Sequence, residues 1–167
     1  MSMHHITGDL LKSDCDYICH QVNCRGKMNS GVAKSIREKW PTVYNNYMIK
    51  YNDVIAAADH PSNMLGDIQI VALFDNFYTA DNKQYVINMF AQDGYGYDGR
   101  RYTSYDAFWL CLGQICSIVP KGSSIAFPGY IGCVRGGANW DVIYEMINQV
   151  LGEDYEVYIY FLEATHE

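Results

Sequence analysis

Apolar residues fall into two kinds of stretch along this chain. Short runs rich in β-branched and aromatic residues predict strands, and apolar positions three or four apart predict helices. Residues 4–7 and 17–22 read as the first two strands. Val32, Ala33, Ile36 and Trp40 then share a helical face. Pro41 interrupts the pattern and suits the first turn of a second helix, on which Val43, Tyr44, Tyr47, Met48 and Tyr51 form a face. Residues 68–74 predict a buried strand and residues 85–90 another. Thr103-x-x-Asp106 resembles a capping box. It precedes a helix with Tyr105, Phe108, Trp109, Leu112, Ile115 and Cys116 inward. Residues 124–127 read as a strand that stops at Pro128. Asn139 is placed to cap a helix carrying Ile143, Met146, Ile147 and Val150, and residues 157–162 form the last strand.

Strands and helices alternate, which predicts an α/β fold with helices on both faces of a largely parallel or mixed sheet. A length of 167 residues and a mass of 19.1 kDa suit one domain, residues 1–167. With 49% hydrophobic and 19% charged residues, the composition argues for a packed core and against disorder. No apolar run approaches the ~18 residues of a membrane span, so no membrane partner is expected. The first residues lack the pattern of a signal peptide, which points to the cytoplasm. A net charge of -7 argues against a nucleic-acid partner, which would call for broad basic surface. Cys15, Cys19, Cys24, Cys111, Cys116 and Cys133 contain no Cys-x-x-Cys pair and read as reduced thiols. Their spacing fits no zinc knuckle, so neither a metal nor a cofactor is expected.

Candidate chemistry concentrates in two glycine-bearing loops. One runs from Asn23 through Gly26 and Gly31 to Ala33. The other runs from Pro128 through Gly129, Gly132, Gly136 and Gly137 to Asn139. Each follows a strand and opens a helix, where open α/β sheets bind ligands. Glycines let successive N–H groups converge on an anion, and the helix dipole adds partial positive charge. Two such loops facing each other would clasp a diphosphate. Neither is a Walker A loop or a Gly-x-Gly-x-x-Gly fingerprint. Arg25, Lys27, Lys34, Arg37 and Lys39 cluster in or just after the first loop. Gly8-Asp9-Leu10-Leu11 follows the first strand, and Asp9 there suits either a helix cap or an acceptor for an exocyclic amine.

The blocks Ile6-Thr7-Gly8-Asp9-Leu10-Leu11, His20-Gln21-Val22-Asn23 leading to Gly31-Val32-Ala33, and Ala126-Phe127-Pro128 leading to Ile131-Gly132-Cys133 and Gly137-Ala138-Asn139-Trp140 together resemble a macrodomain, the ADP-ribose-binding module. The resemblance covers nearly the whole chain. It is strongest to the branch of terminal ADP-ribose protein glycohydrolase and its bacterial and phage relatives. The resemblance implies a three-layer α/β/α fold with a mixed, mostly parallel central sheet. It also implies that the partner is ADP-ribose or an ADP-ribosylated protein. Asp9 would accept from the adenine amine, Leu10 would touch the ring, and Tyr160 would lie beside it. Asn23 would sit near the distal ribose. Gly31, Val32 and Ala33 would form the first diphosphate loop. Pro128, Ile131, Gly132, Cys133, Val134, Arg135, Gly136 and Gly137 would form the second.

The function implied is binding of ADP-ribose with hydrolysis of an ADP-ribosyl adduct, either protein-linked ADP-ribose or O-acetyl-ADP-ribose. The alternatives are a non-catalytic reader and an ADP-ribose 1″-phosphate phosphatase. The glycohydrolase branch uses a lysine and an aspartate. Here Gln92 and Gly136 fall at those positions, and neither can do the same chemistry. The candidate catalytic residues are His20, which the resemblance matches to a histidine of the phosphatase relative, Asn23, which would hold a water together with the ligand's own phosphate, and Gln92 at the lysine position. Strand alternation puts His20 and Val22 on one face and Gln21 and Asn23 on the other. A site role for His20 requires a bend at the strand end. The stretch from Gln92 to Tyr102 should border the site as a flap, with Arg100 or Arg101 offered to an acidic group.

Overall fold

Burial on both faces of one sheet sets the architecture. The structure, a computed structural model, describes residues 3–74 and 82–162, with residues 82 and 83 described in their backbone only. In chain order the elements are β1 (Met3–Thr7), β2 (Tyr17–Val22), α1 (Gly31–Lys39), α2 (Pro41–Ala56), β3 (Ile68–Phe74), β4 (Asn82–Phe90), α3 (Tyr105–Ile118), β5 (Ser124–Pro128), α4 (Trp140–Leu151) and β6 (Glu156–Phe161). The strands pair in the order β1-β6-β5-β2-β4-β3. All neighbours are parallel except β3, which runs antiparallel to β4.

Alternation along β2 shows how the layers form. Cys19 packs with Phe108, Leu112 and Ile115 of α3 and with Ile143 and Ile147 of α4. Ile18 and Val22 face the other way, into a cluster with Ile36 of α1 and Val43 and Tyr47 of α2. The sheet is thus sandwiched between two helical layers, as the alternating elements predict. Because β1, β6, β5, β2 and β4 are parallel, their carboxyl ends share one edge of the sheet. The segments after β1, β2, β4 and β5 gather there.

Local details depart from the sequence pattern at several points. Residues 68–74 form an edge strand rather than a buried one, and Phe74 is 58% exposed. The last strand ends at Phe161, and Pro128 belongs to β5. The cap of α3 is Ser104, whose hydroxyl accepts from the Ala107 N–H, and not Thr103. Trp109 points outward, 46% exposed, because it lies one residue and about 100° beyond the buried Phe108. Asn139 does cap α4, accepting from the Asp141 N–H, and Pro41 does open α2.

Phe108 and Trp109 make a direct test of this face assignment. Phe108→Ala should cost about 3–5 kcal/mol in urea denaturation. Trp109→Gln should change stability by about 0.5 kcal/mol or less. Equal losses at the two positions would place α3 in the wrong rotation.

Candidate functional site

The first loop is held open by a side chain from the helix behind it. The buried Tyr47 hydroxyl lies 2.8 Å from Asn23 O and 2.9 Å from Asn23 Oδ1. It accepts from the Gly26 and Lys27 N–H groups at 3.0 and 3.1 Å. Burial pushes the Tyr47 hydroxyl pKa up, so it stays protonated and can donate. The Asn23 amide completes the turn, accepting from the Arg25 N–H and donating to the Lys27 carbonyl. The chain therefore bends after Val22. Asn23 turns toward α2 instead of continuing the alternation, and both His20 and Asn23 reach the same cavity. Gly31 opens α1 with φ +60° and has open space where a Cβ would be. It is the backbone angle that calls for glycine there. Ser30 makes no side-chain cap, so the first N–H groups of α1 are left for other partners.

The second loop is tied down by Thr103, which is 2% exposed. Its hydroxyl donates to the Gly132 carbonyl at 2.7 Å and accepts from Gln21 Nε2 at 2.8 Å. The Tyr102 and Thr103 N–H groups both donate to the Gly136 carbonyl. A Cβ on Gly136 would fall 2.1 Å from Thr103 Oγ1, so only glycine permits this approach. Gln21 Nε2 also donates to Gln92 Oε1 at 2.8 Å, and Gln92 Nε2 donates to the Gly94 carbonyl. Cys24 N–H donates to the Asp93 carbonyl, and Arg25 pairs with the Asp93 carboxylate at 3.2 Å. The segment after β4 is thus stitched to both glycine loops.

Between the loops lies a cavity of about 360 Å³. His20, Asn23, Gly31, Val32, Ala33 and Gln92 line it. So do Pro128, Ile131, Gly132, Cys133, Val134, Arg135 and Gly136 from the second loop. Four of the expected residues lie outside the lining. Asp9 caps the short 3-10 turn Leu10–Lys12, accepting from the Leu11 N–H at 3.0 Å. Leu10 is buried in the α1–α2 face of the core. Tyr160 packs against that same core. Gly137 abuts the backbone of Arg100 and Arg101.

The stretch after β4 borders the cavity. Tyr95, Gly96 and Tyr97 line the cavity, as predicted for a segment bordering the site. Neither arginine of that segment faces it. Arg100 pairs with Asp98 at 2.7 Å, and Arg101 sits over the Tyr105 ring at 4.5 Å. The cations at the cavity are Lys27 and Arg135, and the Arg135 guanidinium lies 4.9 Å from the Tyr97 ring centre. Gln21 and Asn29 are further lining residues that the sequence pattern did not single out. Asn29 stands two residues before Gly31, where the glycine loop itself was the signal.

The cavity carries no Asp or Glu among its lining residues. Burial lowers the His20 pKa to about 4, so the ring is neutral near pH 7. Burial pushes the Cys133 thiol up to about 11, so it is no ready nucleophile. Both ends of the Gln92 amide are engaged by Gln21 and Gly94. Among the described residues, no group of three or more His, Cys, Asp or Glu converges to hold a metal ion. No helix among them is long and apolar enough to cross a membrane. What remains is a site with backbone N–H groups, two cations and buried acceptors, suited to a polar anionic ligand.

No family model matches the chain. An ADP-ribose 1″-phosphate phosphatase from Meyerozyma guilliermondii is 29% identical over 110 residues. That match covers 62% of this chain and 59% of the phosphatase. A macrodomain protein from Streptomyces coelicolor superposes with a TM-score of 0.72 at 22% identity, covering 96% of this chain and 99% of that one. Thermosipho africanus DarTG in complex with ADP-ribose superposes with a TM-score of 0.71 at 19% identity, covering 96% of this chain and 41% of that one. The fold is that of a macrodomain.

Within this fold the stitching by Thr103 is the feature to probe. Thr103→Val keeps the shape but removes the hydroxyl, leaving the Gly132 carbonyl and Gln21 Nε2 each short of a partner. The expected cost is about 1–3 kcal/mol in urea denaturation, with faster amide exchange in the second loop. Thr103→Ser keeps the hydroxyl and should lose less. Unchanged stability and exchange in Thr103→Val would show that the loop is held by other contacts.

Proposed function

We propose that this macrodomain binds ADP-ribose, or the ADP-ribosyl group of a modified protein, and hydrolyses an ADP-ribosyl adduct. The observation that carries the reading is the meeting of two strand-to-helix glycine loops over one cavity. A diphosphate placed there would take N–H groups from the start of α1 and from the second loop, with Lys27 and Arg135 nearby. The sheet order supports an elongated ligand. Asp9 follows β1, the second loop follows β5 and the first follows β2, in the spatial order β1-β6-β5-β2. At ~4.8 Å per strand, β1 and β2 are about 14 Å apart. That separation suits a base at the Asp9 end and a sugar at the His20–Asn23 end. Adenine would then lie against Asp9, Leu10 and Tyr160, outside the central cavity.

Hydrolysis is supported by the activity in the name of the curated relative, which acts on ADP-ribose 1″-phosphate. A second reading, a reader without turnover, is favoured by one specific observation. The cavity lining has no carboxylate, and the resemblance puts Gln92 and Gly136 where the glycohydrolase branch has its lysine and aspartate.

Titration calorimetry should find ADP-ribose bound more tightly than AMP, because AMP lacks one phosphate and the distal ribose. Asp9→Ala should weaken ADP-ribose about ten- to a hundred-fold through loss of a charge-assisted hydrogen bond, beyond a loss of about 0.5–2 kcal/mol in stability from the missing cap on Leu11. Equal affinity for AMP and ADP-ribose would overturn the two-loop model. Product release from an ADP-ribosylated protein or from O-acetyl-ADP-ribose supports the hydrolase, whereas tight binding with no release from any adduct supports the reader.

A further inference from the structure

The protonation of His20 is set from the far side of three strands. His20 stands opposite Asn88 in the β2–β4 pair, and Asn88 stands opposite Gln69 in the β4–β3 pair. The three side chains form a polar ladder across the sheet that ends on α2. Gln69 Nε2 lies 2.8 Å from the backbone carbonyl of Asn46. A carbonyl only accepts, so this contact fixes which end of the Gln69 amide is nitrogen. Gln69 Oε1 is then the acceptor for Asn88 Nδ2 at 3.0 Å. That leaves Asn88 Oδ1 facing His20 Nε2 at 2.5 Å. Nε2 must carry the proton. In a neutral ring Nδ1 is therefore a bare acceptor, and Nδ1 is buried with no hydrogen-bond partner among the described residues. His20 is among the residues lining the cavity, so the cavity is the side from which a partner for Nδ1 would come.

A second ladder gives the same polarity on the opposite face of β2. The Gly94 carbonyl fixes the Gln92 amide, which fixes the Gln21 amide through its Nε2. Gln21 Oε1 is left as a buried acceptor without a partner among the described residues, and Gln21 lines the same cavity.

We propose that His20 Nδ1 accepts a hydrogen bond from a hydroxyl group of the bound ligand, and that Gln69 and Asn88 are positioning residues that lock the required Nε2–H tautomer. The inference rests on reading the cavity as an ADP-ribose site, since a ribose supplies hydroxyl donors. A ring locked in this form holds a hydroxyl and does not protonate a leaving group. It follows that His20 selects for a hydroxyl-bearing end of the ligand and is not the acid of a phosphatase.

Side-chain ¹⁵N spectra of the histidines test this, with His20 identified by its loss in His20→Gln. In the free protein His20 should show the Nε2–H tautomer; a protonated Nδ1 overturns the proposal. On adding ADP-ribose, the amides of Gly31 to Ala33 report binding. If they shift and the His20 Nδ1 signal shifts with them, the proposal stands. If they shift and Nδ1 does not, the proposal fails while the ADP-ribose reading survives. If ADP-ribose shifts neither, the ADP-ribose reading itself fails. Gln69→Met removes the anchor and should mix the tautomers, weakening ADP-ribose by about two- to tenfold. Gln69→Glu loses the donation to the Asn46 carbonyl but still accepts from Asn88 Nδ2, and should keep the Nε2–H form. A pure Nε2–H form with full affinity in Gln69→Met would show that the ladder locks nothing.

Discussion

The site depends on one buried threonine. Thr103 joins the segment after β4, the loop after β5 and the end of β2 through its hydroxyl and its backbone. These three pieces of chain are far apart in sequence, and the order of strands only brings them to the same edge of the sheet. Fixing them relative to one another takes directional contacts. A hydroxyl donating to one loop while accepting from the neighbouring strand supplies these where water has little access. Buried polar groups of this kind are costly if one partner is missing, so the network favours a single arrangement. The cavity is the space that arrangement leaves.

Much of this was legible along the chain. Alternation in β2 puts His20 and Val22 on the face opposite Gln21, and the two glycine loops line one cavity. Asn139 caps its helix because an Asx cap is a local interaction, and local interactions leave local signals. Thr103 reads as a cap for the same reason, since Thr-x-x-Asp is a local pattern. Its actual partners, Gln21 and Gly132, are distant in sequence, and Ser104 beside it takes the cap. Asn23 is similar. Its direction is set by Tyr47, which only the packing of α2 brings near. The apolar run of β3 reads alike for an edge or a central strand because both its faces are covered, Ile68 and Ile70 against the α3–α4 cluster and Val71 and Leu73 in the α1–α2 cluster. Arg100 and Arg101 find partners at Asp98 and Tyr105 within their own neighbourhood, which leaves Lys27 and Arg135 as the cations at the cavity.

The chemistry of the cavity follows from what surrounds it. Backbone N–H groups and two cations occupy the loops, and buried acceptors occupy the floor at His20 and Gln21. This combination suits an anion at the loops and hydroxyl groups beneath. Burial keeps the histidine neutral and the Cys133 thiol protonated, so the site is organised for recognition first. Any hydrolysis would have to draw on a positioned water and on the ligand's own groups.

Amide hydrogen exchange with and without ADP-ribose tests the central claim most directly. The two glycine loops form one site, so ADP-ribose should slow exchange in residues 31–33 and 131–136 together, with the same dependence on ligand concentration. Protection of one loop alone, or protection confined to another part of the surface, would contradict the account.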